Sequence, residues 1–162
     1  METIEKRLKE KNVTRIELRR GMRIVLDHGV VFDVLFPDRD PHGMETNDAS
    51  VVGRLTYGDT SFLFTGDAPI KIEEYLTMLD VRSLDADVLK VGHHGSKTST
   101  GNRFVGAVSP RYAVISAGKD NSYGHPHQEV LEVLAAHDLE VLVTAQEGTI
   151  VFESDGTNLV RK

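Results

Sequence analysis

Histidines and one aspartate stand directly after apolar runs of this sequence. Asp67 follows one such run, the adjacent pair His93 and His94 ends a second, and His125 lies in the polar loop after a third. Side chains just past the ends of buried strands are held by a rigid sheet and stay open to a ligand. Their types and their placement therefore indicate metal binding or acid–base chemistry at one edge of a sheet.

The chemistry that this set suits best is metal-assisted hydrolysis. Aspartate and histidine without cysteine form the ligand set of a zinc or manganese centre, in which a carboxylate can bridge two ions and bound water becomes a nucleophile. The sequence contains no cysteine, which excludes disulfides, iron–sulfur clusters and cysteine-ligated zinc. It also lacks a glycine-rich phosphate loop and a G-x-S-x-G nucleophile elbow.

Each residue also has a purely structural interpretation. Asp67, taken alone, is better explained as a helix-capping aspartate. In the pair His93-His94, one ring could pack while the other is solvated. The histidines on either side of Pro126 could mark a turn and a helix start, and the segment 97–100 could contact phosphate or cap a helix. Only their joint placement at the ends of buried strands raises the metal site above these alternatives.

The composition describes one soluble, globular domain. The chain has 162 residues, of which 40% are hydrophobic and 27% charged, and we treat residues 1–162 as a single domain. The net charge of -6 argues against non-specific nucleic-acid binding by this chain alone, an objection that a bound divalent metal would weaken. No apolar run reaches the length of a membrane span or of a signal-peptide core, so the isolated chain is expected to be soluble.

The order of the predicted elements indicates a mixed α/β fold. Residues 1–12 predict a charged, frayed N-terminal helix with a thin apolar stripe of Ile4 and Leu8. Alternating runs from Arg15–Leu18 onward predict a meander of β-strands. From residue 61 onward, strands alternate with amphipathic helices, which is typical of a mixed sheet with flanking helices.

Four segments of the chain are distinctive enough to compare with known families: Asn47–Val52, Gly58–Ala68 (GDTSFLFTGDA), Ala86–Thr100 (ADVLKVGHHGSKTST) and Pro110–Gln128 (PRYAVISAGKDNSYGHPHQ). They closely resemble the C-terminal metallo-β-lactamase-fold domain of ComEC-type competence proteins, the DNA-uptake channels of the bacterial inner membrane. The resemblance covers nearly the whole chain from about Arg15, and its HHGSKTS and YGHPH stretches are quite specific.

The resemblance implies an αββα sandwich with a two-metal site at the sheet edges. By this resemblance Asp67 would be the bridging metal ligand and His125 a further ligand. Of the histidine pair, His94 is favoured as the ligand that faces the metal and His93 as the catalytic proton donor. The implied activity is zinc- or manganese-dependent phosphodiester hydrolysis, with DNA as the partner during uptake.

The sequence also departs from the family. The superfamily's main His-x-His-x-Asp-His metal motif and the membrane-spanning region are both absent, so we expect half of the sandwich. Half a sandwich exposes an apolar sheet face, which a homodimer or a complementary N-terminal half-domain would cover. Membrane association is then expected only through a parent protein, at the cytoplasmic or periplasmic face of the inner membrane. The alternative function is a catalytically inert, truncated domain without metal that acts as an accessory module in DNA uptake.

Overall fold

The computed structural model describes residues 2–162. None of its helices combines the length and the apolar character needed to cross a membrane. Within the described range the elements are α1 (Glu2–Glu10), β1 (Arg23–Val25), β2 (Val31–Phe36), β3 (Val52–Tyr57), β4 (Thr60–Phe64), α2 (Ile70–Asp80), β5 (Val88–Lys90), α3 (Asn102–Val108), β6 (Tyr112–Ile115), α4 (Gln128–Ala135), β7 (Glu140–Val143), α5 (Thr144–Glu147), β8 (Phe152–Ser154) and β9 (Leu159–Arg161).

One mixed sheet organises the chain. Its seven strands lie in sequence order, β1 to β7. Strands β1 to β4 form an antiparallel meander, and β4 to β7 run parallel to one another. Parallel neighbours need crossover connections, which α2, α3 and α4 supply. The predicted fold class, a mixed β-sheet with flanking helices, is confirmed.

The helices bury one face of this sheet. Leu63, Leu89 and Ile115 point into the core from three neighbouring strands, and Leu76 and Phe104 meet them from the helices, all of them at most 1% exposed. The parallel strands are therefore packed against a rigid layer of helices. This packing fixes the start of each loop that follows the carboxyl end of a strand.

The other face of the sheet is only partly covered. The hairpin of β8 and β9 packs Phe152 against Phe62 and Tyr112, with ring centroids 5.8 and 5.1 Å apart. Beyond the hairpin the face stays open, and Phe64 and Ile24 are each 39% exposed. The described chain thus has one complete layer of helices and only a fragment of a second sheet.

The prediction of a strand at Arg15–Leu18 is wrong, because residues 13–19 form no helix or strand. The side chain of Arg15 pairs instead with the carboxylates of Glu5 and Glu17, at 3.3 and 3.2 Å. The alternation there comes from exposed charges and not from a buried strand face. The expected helix near the N-terminus is present as α1, in which Ile4 is 66% exposed.

Candidate functional site

The loop after β5 has a strained backbone. His93 and His94 both adopt left-handed conformations, with φ of 45° and 57°, and Gly95 follows with φ of 81°. A non-glycine residue in this region costs about 1–3 kcal/mol and persists only where its surroundings enforce it, most often at functional sites. We call residues 92–101 the histidine loop. In this left-handed conformation, two consecutive imidazoles lie just beyond the C-terminal end of β5.

Four imidazoles come together at this end of the sheet. The ring centroid of His125 lies 5.9 Å from that of His93 and 6.5 Å from that of His94. The ring of His127 lies 4.9 Å from that of His125. The histidines that the sequence placed after two different strands therefore form one cluster, which a plain turn would not require.

His94 has the hydrogen bonding expected of a metal ligand. Its Nδ1 lies 2.7 Å from the carbonyl oxygen of Ser116, and because a carbonyl can only accept, Nδ1 must carry the proton. The lone pair is then on Nε2, and backbone carbonyls orient ligating imidazoles in this way. His93 has only a 3.4 Å contact between Nδ1 and the Thr98 hydroxyl. The ring orientation of His94 is compatible with a ligand, and the roles of His94 as ligand and of His93 in catalysis stay predictions.

Asn121 shapes the loop that carries His125. Its amide nitrogen donates to the carbonyls of Gly118 and His125, at 2.8 and 2.7 Å, and its carbonyl oxygen accepts the His125 N–H at 2.9 Å. Burial lowers the pKa of His125, and the neighbouring histidines lower it further. A lowered pKa favours the neutral imidazole, in which a ring nitrogen can bind a metal or accept a proton.

The two histidine-bearing loops are joined directly. The carbonyl of Gly95 accepts the N–H of His127 at 2.9 Å, and the N–H of Lys97 donates to His127 Nδ1 at 3.3 Å. A Cβ on Gly95 would lie 2.7 Å from the Cβ of Pro126, a distance shorter than Cβ atoms show to other heavy atoms in proteins. The close approach of the two loops therefore depends on a glycine.

Asp67 lies in the turn between β4 and α2, next to the histidine loop. The carbonyl of Gly66 accepts the N–H of His93 at 3.0 Å, and the N–H of Asp67 donates to the Ser50 hydroxyl at 3.1 Å. The N-cap of α2 is Pro69, and no side chain of the described chain caps this helix. The alternative explanation of Asp67 as a helix cap therefore lacks support. Its role as a bridging metal ligand stays a prediction.

Lys90 is a neighbour of this site to which the sequence assigned no role. It ends β5, and its ammonium donates to the Val91 carbonyl at 2.8 Å. Burial lowers the pKa of Lys90, while the charge of Asp67 opposes that shift. The signal in the sequence was a lysine inside an apolar strand, three residues before His93.

Glu73 is a second residue that the sequence did not identify. It lies on α2, is 1% exposed, and accepts the backbone N–H groups of Thr100 and Gly101 at 2.7 and 2.8 Å. Burial raises the pKa of Glu73 to about 7. The signal was an acidic residue beside Ile72 on the apolar side of an amphipathic helix.

A cavity opens beside His93. Its volume is about 410 Å³, and its walls include the Ser96 and Thr98 hydroxyls and the ion pair of Lys71 with Asp48. Small-molecule sites commonly have volumes of roughly 300–1,000 Å³. The cavity is therefore large enough for a ligand of nucleotide size next to His93.

The donor types suit a divalent metal, but their arrangement does not close around one. Within residues 2–162 no three His, Asp or Glu side chains are placed to hold a single ion together. The assignments of Asp67, His94 and His125 as ligands stay predictions.

Comparisons with known proteins agree with the fold. The chain is 42% identical over 144 residues to ComE operon protein 3 of Bacillus subtilis, covering 89% of this chain and 18% of that protein. It is 40% identical to competence protein ComA of Neisseria gonorrhoeae, over 76% of this chain and 18% of that protein. The chain is 39% identical to recombination protein 2 of Haemophilus influenzae, over 75% of this chain and 15% of that protein.

The resemblance to competence proteins that the sequence segments indicated is thus confirmed, although the chain spans less than a fifth of each relative. The profile of the metallo-beta-lactamase superfamily, whose members usually bind divalent metals, matches residues 4–119. This chain belongs to the metallo-beta-lactamase superfamily.

Proposed function

We propose that this chain is part of a metal-dependent phosphodiester hydrolase that acts on DNA in an uptake system. The observation that carries the proposal is the donation of His94 Nδ1–H to Ser116, which leaves Nε2 of a strained, exposed histidine free to bind. The superfamily and the competence proteins among the relatives support the reaction class and the substrate. A divalent ion, zinc or manganese, would supply Lewis-acid activation of water and phosphate.

The residues of this chain divide the work in this proposal. His94 provides its Nε2, His125 provides a ring nitrogen, and Asp67 provides a carboxylate. His93 lines the cavity and would donate a proton to the leaving oxygen of the phosphodiester. Because the cluster does not close around an ion, the remaining ligands come from outside the described residues. The isolated chain accordingly binds metal weakly.

The proposal is tested by metal titration and DNA cleavage with the purified chain. We expect weak metal binding and slow cleavage of labelled single-stranded DNA that requires an excess of added manganese or zinc, because this chain supplies only part of the ligands. Since altering even the partners of metal ligands costs about 10–100-fold, His94→Gln should lower metal affinity by about 100-fold and abolish cleavage. His28→Gln is the matched control, because the His28 side chain is 84% exposed in the turn between β1 and β2 and should leave both unchanged.

One competing function is an accessory module in DNA uptake that holds no metal. The open arrangement of the histidine cluster favours it, because no described set of side chains closes around an ion. The same experiment separates the two. Absence of metal binding together with absence of cleavage would support the accessory module and overturn the hydrolase.

We further propose that the open sheet face is an interface. The rings of Phe32, Phe62 and Phe64 adjoin one another across it, with centroids 6.4 and 6.5 Å apart, and Phe64 is 39% exposed. An apolar cleft of about 210 Å³ runs from Phe62 to Val114. Burying such surface gains about 25 cal/mol per Å², and in a solution of this chain only a second copy can cover it. A complementary half-domain would cover it in a longer protein.

The isolated chain is therefore expected to sediment as a dimer. Phe64→Lys should make it a monomer, since a charge would be buried in the apolar interface. Met78→Lys, on the helical side where Met78 is 68% exposed, should stay dimeric. A folded, monomeric wild-type chain across the concentration range of the measurement would contradict the interface.

We propose that this domain is attached to the inner membrane only as part of a longer protein. The relatives are more than five times as long as the part that this chain matches. The proposal assigns membrane attachment to those further regions, at the cytoplasmic or periplasmic face.

A further inference from the structure

The carboxylate of Glu73 is buried without any catalytic use in the proposed site. It is 1% exposed, and its two oxygens each accept one backbone N–H from the end of the histidine loop, that of Thr100 and that of Gly101. Burying a carboxylate is costly, and such groups persist where they satisfy specific donors. The function of Glu73 therefore concerns the conformation of that loop end.

Thr100 is the strained residue at this point. Its φ is 68°, an outlier for a β-branched side chain. Its hydroxyl is buried and has no hydrogen-bond partner among the described residues, so the side chain of Thr100 does not stabilise the strained conformation. The hydrogen bond from its N–H to Glu73 does.

A second contact acts in the same direction. The N–H of Ile70, at the start of α2, donates to the carbonyl of Thr98 at 2.8 Å. Helix α2 begins three residues after Asp67 and so fixes the histidine loop relative to that carboxylate. Without these bonds, the loop would be joined to α2 by packing alone.

We propose that Glu73 is a positioning residue, whose buried carboxylate holds the histidine loop against α2 so that His93 and His94 keep their strained orientation. The proposal deepens the proposed function and rests on it, because the orientation matters only if these histidines bind or react.

Glu73→Gln tests the proposal with little change of shape. A carboxamide has one accepting oxygen, and its NH₂ group would face a backbone N–H that it cannot accept. We expect at least one of the amide hydrogens of Thr100 and Gly101, the one that faces the NH₂ group, to exchange about 10–100-fold faster, the range that losing a hydrogen bond to a charged group corresponds to. Zinc affinity should fall about tenfold, as for other residues that orient ligands. Glu74→Gln, which removes the same charge from the exposed neighbouring position, is the control and should change neither.

The double variant E73Q/T100G tests whether Glu73 acts through the strained conformation of Thr100. Glycine adopts a φ of 68° without strain, so it should hold the loop without help from Glu73. We expect the double variant to recover most of the lost zinc affinity, whereas a role of Glu73 outside this loop end would predict no recovery. Unchanged exchange in Glu73→Gln, or no recovery in the double variant, would overturn the proposal.

Amide exchange needs neither metal nor DNA, so it distinguishes failure of this proposal from failure of the proposed function. If Glu73→Gln does not fold, the wild-type chain provides the test by NMR. The side-chain carboxyl carbon of Glu73 and the amide protons of Thr100 and Gly101 should then titrate with one shared midpoint. Separate midpoints would show that the carboxylate does not control the loop.

Discussion

A valine in place of Gly95 should separate the two histidine-bearing loops and lower zinc affinity by about 100-fold, the upper end of the effect of displacing ligand-orienting groups. The added side chain would meet Pro126 at 2.7 Å and Ile115 at 3.3 Å, and the φ of 81° disfavours any side chain. Left-handed strain costs about 1–2 kcal/mol and overpacking about 1–3 kcal/mol. The free energy of unfolding should therefore fall by about 2–5 kcal/mol.

Urea denaturation and zinc titration measure the two effects of Gly95→Val. Gly21→Val is the matched control, because Gly21 has a φ of 86° and a Cβ at this position would have no atom within 4 Å. The Gly21→Val variant has the backbone strain without the steric clash. Its free energy of unfolding should therefore fall by about 1–2 kcal/mol, and its zinc affinity should stay unchanged. Equal zinc affinity in Gly95→Val and the wild type would show that the contact between the loops does not position the histidines.

The second large effect is a pH dependence of stability due to Glu73. Burial raises its pKa from the ordinary value of 4.5 to about 7, against the backbone hydrogen bonds from Gly101 and Thr100 that lower it; the charge of Glu74 adds a smaller increase. The folded chain therefore binds the Glu73 proton more tightly than the unfolded chain does. The resulting stabilisation is fully present below about pH 4.5 and is lost as the pH rises through about 7, which amounts to about 3 kcal/mol.

Glu73→Gln should remove this part of the pH dependence, because an amide does not titrate. Denaturant midpoints measured from pH 5 to pH 8 check the prediction, with Glu74→Gln as the variant that keeps most of the wild-type slope, because the charge of Glu74 is the smallest of the causes of the Glu73 pKa shift. Equal slopes in Glu73→Gln and the wild type would contradict it. The hydrogen bonds to Thr100 and Gly101 should strengthen as Glu73 ionises, so loop order and global stability change in opposite directions with pH.

The arrangement of the elements was largely predictable from local pattern. The runs that became β3 to β7 were recognisable because strands buried on a packed face need apolar residues, and the helices between them showed the expected periodicity. The segment Arg15–Leu18 failed because alternating exposed charges imitate the period of a strand. The single domain over residues 1–162 and the fraying of residues 1–12 stay predictions.

The sequence by itself determined which residues stand at the strand ends, because that depends only on neighbours along the chain: Asp67, the pair His93-His94 and His125. Only the tertiary structure decided the rest. Which nitrogen of His94 is free depends on a carbonyl 22 residues away, and the burial of Glu73 depends on a loop end 27 residues away. Such contacts join segments that are distant along the chain, and no local period signals them. For the same reason, the sequence could list the donor types, while the open spacing of the cluster came from the packing of two loops through Gly95 and Pro126.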